Sequence, residues 1–444
     1  MRKSLFIALL ASLSLGNAVS ADAKTWTMEE CLQYAMDNNI TLQKAKLTKL
    51  SAAEDTKLSK AQLLPSLNFS TSQNVNYTPW QKSGVATVTD GKVESSIDKV
   101  SYNGQYTVSA NWTVWNGNRN RNQVKLNSIA EQQAEMDSVT SARNIEEQIA
   151  QLYIQILYTK EAINVNKATL EAAKINENRG KQMYEVGQMS KADFSQLTAQ
   201  RAQDEYNVVQ AESQARSYTR QLKELLQITN DESFDVASPE MTDAMALQSI
   251  PSMTSVYNEA LDNRPELKRA LLSVQSAELQ GKIAKAQRMP TVSLNASVGT
   301  STNSLNSDGW ASQMKTNLRT GAGITVSVPI FDQRSTRTAI NKANIQKQEA
   351  LLDIRDKQTS LYSTIENYWI QAGNYQNQYK AAKVSTESAK DSYDLLSEQF
   401  AVGLKNISEL QDGKTRLLSA QQSELQSKYM TILNLKMLEF YKKK

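Results

Sequence analysis

Lys57-Leu58-Ser59-Lys60-Ala61-Gln62-Leu63-Leu64-Pro65 and Lys282-Ile283-Ala284-Lys285-Ala286-Gln287-Arg288-Met289-Pro290 are one segment written twice, 225 residues apart. Working outward at that offset, the register holds from Thr27 to Leu67 without a gap, with 14 identities in 41 positions. Ala35-x-Asp37-Asn38, for example, falls on Ala260-x-Asp262-Asn263. Beyond the proline the offset becomes 216 and stays there. Val114-Trp115-Asn116 then falls on Ile330-Phe331-Asp332, Arg121 on Arg337, and Tyr184-x-Val186-Gly187 on Phe400-x-Val402-Gly403. The length difference lies between Pro65 and Trp115, where a surface loop tolerates insertion. One structural unit is used twice.

Each unit reads as four pieces. The first, 28–63 and 253–288, is an amphipathic helix ending before a proline, whose ring disfavours helical geometry in the preceding residue. The second is a pair of strands. Val108, Ala110, Trp112 and Val114 alternate with Thr107, Ser109, Asn111 and Thr113, and Ile324, Val326 and Val328 alternate with Thr325 and Ser327. Period two gives one apolar and one polar face. Strands are expected at about 66–77, 103–116, 291–301 and 318–331, with turn-rich connections at 78–101 and 301–317.

The third piece, Arg119–Tyr184 and again Ser335–Phe400, contains no proline, and residues such as Ile145, Ile149, Leu152 and Ile156 fall at coiled-coil spacing. At 1.5 Å per residue such a helix is about 100 Å long. The fourth is a return helix, 191–228 and 405–440, reached through Gly187 or Gly403. Each return covers about half the outward length, so 253–288 is expected to complete the first return end-on and 28–63 the second.

Composition narrows the chemistry. The chain has no histidine, and Cys31 is its single cysteine. His-based triads, His-ligated metals and disulfides are therefore excluded, and neither an enzyme nor a cofactor site is expected. Lys+Arg 50 against Asp+Glu 46 removes the electrostatic case for nucleic acid. Arg2 and Lys3 followed by the apolar stretch Leu5–Leu15 and Val19-Ser20-Ala21 read as a cleaved signal peptide, 1–21. Downstream, no apolar run reaches the length of a transmembrane helix. The expected organisation is a first repeat over 22–228, a linker over 229–251 and a second repeat over 252–444.

Trp80, Trp112, Trp115 and Trp310, four of the six tryptophans, sit in the strand regions, as aromatic girdles at a bilayer surface would. Four strands cannot close a barrel, and lipid forbids unpaired edges. Strands in a membrane would need several chains, and three would supply twelve.

The duplicated helix, strand pair, long helix and return helix resembles the TolC-like outer-membrane efflux family across essentially the whole chain after the signal. Val326-Ser327-Val328-Pro329-Ile330-Phe331-Asp332 is similar to that family's strand-to-helix segment, and Val186-Gly187 and Val402-Gly403 to its hairpin turns. The resemblance implies a mainly α fold with membrane β structure. A homotrimeric twelve-stranded barrel in the outer membrane would continue into a long α-helical coiled-coil barrel in the periplasm. It implies a passive duct working with a periplasmic adaptor and an inner-membrane pump, of RND, ABC or MFS type. It also places Glu409 and Asp412 at the pore constriction, and Lys405, Asp193 and Phe400 at a latch that lacks a donor at Ala192. Val186-Gly187-Gln188 and Val402-Gly403-Leu404 are the expected adaptor-docking tips. The competing reading, a soluble periplasmic coiled-coil scaffold or adaptor, leaves the amphipathic strands and clustered tryptophans unexplained.

Overall fold

The computed structural model describes residues 24–80, 85–89, 91–96, 98–229, 234–239 and 241–442; the expected signal peptide lies outside them. The first half runs β1 (Lys24–Trp26), α1 (Met28–Asn38), α2 (Ile40–Ala61), β2 (Ser66–Tyr77), β3 (Val85–Thr89), β4 (Lys92–Ser96), β5 (Val100–Trp115), α3 (Arg119–Glu185) and α4 (Lys191–Leu226). Between the halves lie β6 (Phe234–Val236) and α5 (Asp243–Ala246). The second half runs α6 (Met253–Asn263), α7 (Pro265–Ala286), β7 (Thr291–Asn303), α8 (Trp310–Thr316), β8 (Arg319–Ser327), α9 (Ser335–Ala401) and α10 (Ile407–Lys442). Both α3 and α9 have 67 residues, and both α4 and α10 have 36. The chain divides into two compact units, and α3, α9 and α10 contribute to both.

One expected element is corrected. The helix read as continuous over 28–63, and its copy over 253–288, each break in two, at Asn39 and at Arg264, where the backbone is extended. In the second copy Pro265 opens α7 and pushes Arg264 out of helical geometry. The first copy has no proline there. Its break is held by a tertiary contact, with buried Asn39 donating its side-chain N–H to the Leu225 carbonyl at 2.8 Å. Arg264 is instead fixed by cation–π contacts, its guanidinium 3.9 Å from the Tyr441 ring centre and 5.0 Å from that of Phe440.

In the second unit the sheet has the order β2-β5-β7-β8, all antiparallel. Register places Leu67, Ala110, Ala296 and Ala322 in one row and Trp112, Leu294 and Ile324 in the next. The opposite face carries Asn68, Ser109 and Ser297, then Asn111, Asn295 and Gly323. The apolar face is uncovered within the chain, with Leu67 73% and Ile324 71% exposed. A β-bulge between Thr113 and Trp115 brings Trp115 opposite Val292 and so onto the apolar face. Strict alternation had reserved that place for Val114. β8 stops at Ser327 rather than 331, because Pro329 has no N–H for a ladder. The connection 78–101 holds the β3–β4 hairpin. The connection 301–317 holds α8, pinned by buried Gln313, whose amide donates to the carbonyls of Asp308 (2.6 Å) and Asn303 (3.1 Å).

In the first unit, segments of α3, α4, α9 and α10 pack with α1 and the parallel pair β1–β6 around Ile149, Ile156, Leu222 and Tyr379. Cys31 is fully buried, and burial, followed by the charges of Glu30 and Glu29, pushes its thiol up to about 12. It is a packing residue. The segment between the repeats is strapped to three helices. Tyr153 donates to the Ala237 carbonyl at 2.6 Å, Lys160 pairs with Asp235 at 2.6 Å, and Gln376 donates to the carbonyls of Ala246 and Gln248. Asp243 pairs with Lys383 at 2.5 Å and Lys428 at 2.9 Å.

Lys383 above all, with the Tyr379 hydroxyl and then Lys428 adding to it, holds the Asp243 carboxyl well below the usual carboxylate range. A depressed folded value stabilises docking above the ordinary 3.8, and that stabilisation is lost as the pH falls below it. The pair is half exposed, so screening limits the effect to about 1 kcal/mol. Hydrogen exchange of the 241–250 amides, corrected for intrinsic pH dependence, should rise as the pH falls from about 4 to about 2, and Asp243→Asn should abolish that step. An identical step in the variant would discard this account.

Candidate functional site

Both expected tips are built alike. Gly187 and Gly403 have φ of 81° and 75°. The Gly187 N–H donates to the Tyr184 carbonyl at 3.0 Å and the Gln188 N–H to that of Met183 at 2.8 Å; Gly403 and Leu404 repeat both bonds with Phe400 and Gln399. This is a Schellman termination, which needs a left-handed residue at that place and hence glycine. Beyond the adjoining residues, no heavy atom lies within 4 Å of a Cβ built on either glycine, and Val186, Val402 and Leu404 are exposed. The tips are free surface within the chain.

The return helices then begin with matching caps. Ser190 Oγ accepts from the Asp193 N–H at 3.1 Å and donates to the Asp193 carboxylate at 2.7 Å. Asn406 Oδ1 accepts from the Glu409 N–H at 2.9 Å, while the Asn406 N–H donates to Glu409 Oε2 at 3.2 Å. Asp193 and Glu409 occupy the same repeat position, and both close the first turn of a helix. The Lys405 ammonium bonds Glu409 Oε1 at 2.6 Å. With the Asn406 amide, it holds that carboxyl below the ordinary glutamate range.

Among the described residues Lys405 and Asp193 form no ion pair with each other within the chain. Lys405 is engaged by Glu409 four residues on, and Asp193 by its own cap. Phe400 is no polar contributor either. It is buried with Leu197, Tyr393, Ile407 and Leu410, a cluster drawing on both hairpins. Its counterpart Tyr184 lies at the surface, stacked on Phe194 with ring centres 5.7 Å apart.

The links that join the two hairpins lie elsewhere, and sequence reading missed them. Asp204 of α4 and Lys414 of α10 form an ion pair whose side chains are 2% and 8% exposed. Gln200 donates to the other Asp204 oxygen at 3.1 Å. Gln196 donates to Gln411 at 2.8 Å, and Asn176 to the Tyr393 hydroxyl at 3.4 Å. No motif marks these residues, since each is an ordinary helix-surface residue until a second hairpin covers it.

Glycine and leucine exchange places between the copies. A Cβ on Gly180 would lie 2.3 Å from Leu197 Cδ1, and one on Gly413 would lie 2.6 Å from Leu396 Cδ1. Gly180 corresponds to Leu396, and Leu197 to Gly413. Each hairpin thus seats one leucine against one glycine, but on opposite helices.

Glu409 and Asp412 line a groove of about 850 Å³ between α9 and α10. The α9 wall supplies Ser385, Ser388 and Ser392 with alanines and Leu396, while α10 adds Arg416 and Ser419. Asp412 and Arg416 are exposed, and neither forms an ion pair among the described residues. Among those residues no cluster of carboxylates or cysteine could hold a metal, and no helix is long and apolar enough to cross a membrane.

A family model described as "Outer membrane efflux protein" matches residues 31–227 and 256–440. The chain is 22% identical over 298 residues to the Outer membrane protein TolC of Escherichia coli, a match covering 64% of this chain and 58% of that protein, less than two thirds of its length. It is 21% identical over 431 residues to the Outer membrane protein TolC of Vibrio cholerae, covering 96% and 92%. Its fold is similar to that of CusC, solved in connection with transmembrane channel formation, with TM-score 0.79 at 15% identity over 97% of this chain and 95% of that one.

Proposed function

Since the chain belongs to the outer membrane efflux protein family, we propose that it is the outer-membrane exit duct of a tripartite efflux or secretion system, a passive channel and not an enzyme. The observation that carries this reading is the sheet. Its apolar face is exposed, its other face is Ser, Asn and Gly, and among the described residues β2 and β8 each keep an unpaired edge. Lipid would satisfy the apolar face, but only further strands can satisfy the edges. Three chains edge to edge make a twelve-stranded barrel with hydroxyls and amides inside, and the long hairpins continue it into the periplasm. The exposed tips at Val186-Gly187-Gln188 and Val402-Gly403-Leu404 are the surfaces offered to a periplasmic adaptor, through which an inner-membrane pump delivers cargo. Glu409 and Asp412 line the narrow end, and closure rests on the links between hairpins rather than on Lys405 with Asp193.

The test is the mass of the protein extracted in detergent from an outer-membrane fraction, by light scattering with the detergent subtracted. Three times the chain mass is expected. A monomer, or recovery as a soluble periplasmic protein, would replace the duct with a coiled-coil scaffold.

A further inference from the structure

The groove holding Glu409 and Asp412 carries a third charge that the acidic reading of the constriction leaves out. Positions 409, 412 and 416 are spaced three and four residues apart on α10, so they form one stripe with rises of about 4.5 and 6 Å between neighbours. All three line the same groove, and its α9 wall contributes no charged side chain. One step before the stripe, Lys405 already bonds Glu409 at 2.6 Å. Read along the tip, the charges run plus, minus, minus, plus, and they cancel.

We propose that Arg416 is a selectivity-determining residue of the constriction, and that the narrow end of this channel is charge-balanced instead of cation-selective. The proposal rests on the reading above that Glu409 and Asp412 face the pore. A ring of carboxylates alone favours cations. Here Glu409 is offset by Lys405, which leaves Asp412 as the uncompensated anion. The Arg416 guanidinium, charged at every accessible pH, sits one turn away. That separation is shorter than the screening length of about 8 Å at physiological ionic strength, so the field of each Asp412 is largely cancelled by an Arg416. A balanced constriction would pass solutes of either sign, and their sorting would fall to the pump.

Single channels in planar bilayers under a potassium chloride gradient test this through the potassium-to-chloride permeability ratio. The unaltered protein should give a ratio near unity. Arg416→Ser should raise it about threefold, because one unit charge about 6 Å away, weakened by screening, changes the local potassium and chloride levels by just under twofold each and in opposite directions, and Asp412→Asn should lower it. Arg416→Lys, which keeps the charge, should leave it unchanged, and Arg416→Gln should behave as the serine variant does. If Asp412→Asn shifts the ratio while Arg416→Ser and Arg416→Gln do not, Arg416 is not a filter residue, although the constriction reading survives. If Glu409→Gln, Asp412→Asn and Arg416→Ser all leave the ratio unchanged, the constriction reading falls and takes the proposal with it.

Discussion

Lys414→Met should destabilise the paired hairpins by about 3–5 kcal/mol, because it leaves the Asp204 carboxylate buried without a counter-charge. The environment gives that carboxylate little else. Its side chain is 2% exposed, and apart from the lysine it accepts a hydrogen bond from Gln200. Removing one partner of a buried pair leaves the other's desolvation unrecovered, whereas replacing both with apolar groups of similar volume is often neutral or stabilising. Asp204→Leu combined with Lys414→Met should therefore be more stable than Lys414→Met alone. Guanidinium unfolding in detergent, followed by helical circular dichroism, reads both variants. A single variant within 1 kcal/mol of the unaltered protein would mean that water reaches the pair, and would remove it as a clamp between the hairpins.

Gly413→Leu should destabilise the second hairpin by about 3 kcal/mol, at the upper end of overpacking effects, and Leu396→Gly should then restore much of the loss. The reason is the reciprocal placement of glycine and leucine in the two copies. Gly413 lies against Leu396 so closely that even a Cβ would sit 2.6 Å from its Cδ1. The double variant rebuilds in the second hairpin the arrangement of the first, where the glycine is Gly180 on the outgoing helix and the leucine is Leu197 on the return. Leu396→Gly alone opens a cavity and should itself be destabilising by about 2–5 kcal/mol. The signature is non-additivity between neighbours, with the double variant above either single one in unfolding midpoint. Simple addition of the two losses would show that the hairpins do not tolerate the swap.

Local pattern carried much of the site. Gly187 and Gly403 stand out because the turn between long helices needs a left-handed residue, and only glycine takes it without strain. The caps Ser190-x-x-Asp193 and Asn406-x-x-Glu409 were also written in the sequence, at the spacing of a capping box. Reading those acids only as latch and filter overlooked the helix starts that they close. The Asp204–Lys414 pair could not be read in this way. Its partners are 210 residues apart, and neither spacing nor residue type distinguishes them from the exposed Asp and Lys of any coiled coil. Arg416 was hidden for a related reason, since a groove exists only once α9 lies beside α10.

By itself the sequence determined the duplication, the two long helices with their returns, and the strands, because repeat offset, proline position and hydrophobic period are local properties of a chain. It also determined the absence of histidine chemistry. Only the tertiary structure decided where Asn39 breaks a helix that no proline interrupts, on which face Trp115 lies after a bulge, and how Asp243 straps the inter-repeat segment. It alone decided that Lys405 bonds Glu409 within its own hairpin. Each of these depends on a group brought close by packing, and packing joins residues whose separation along the chain carries no periodic signal.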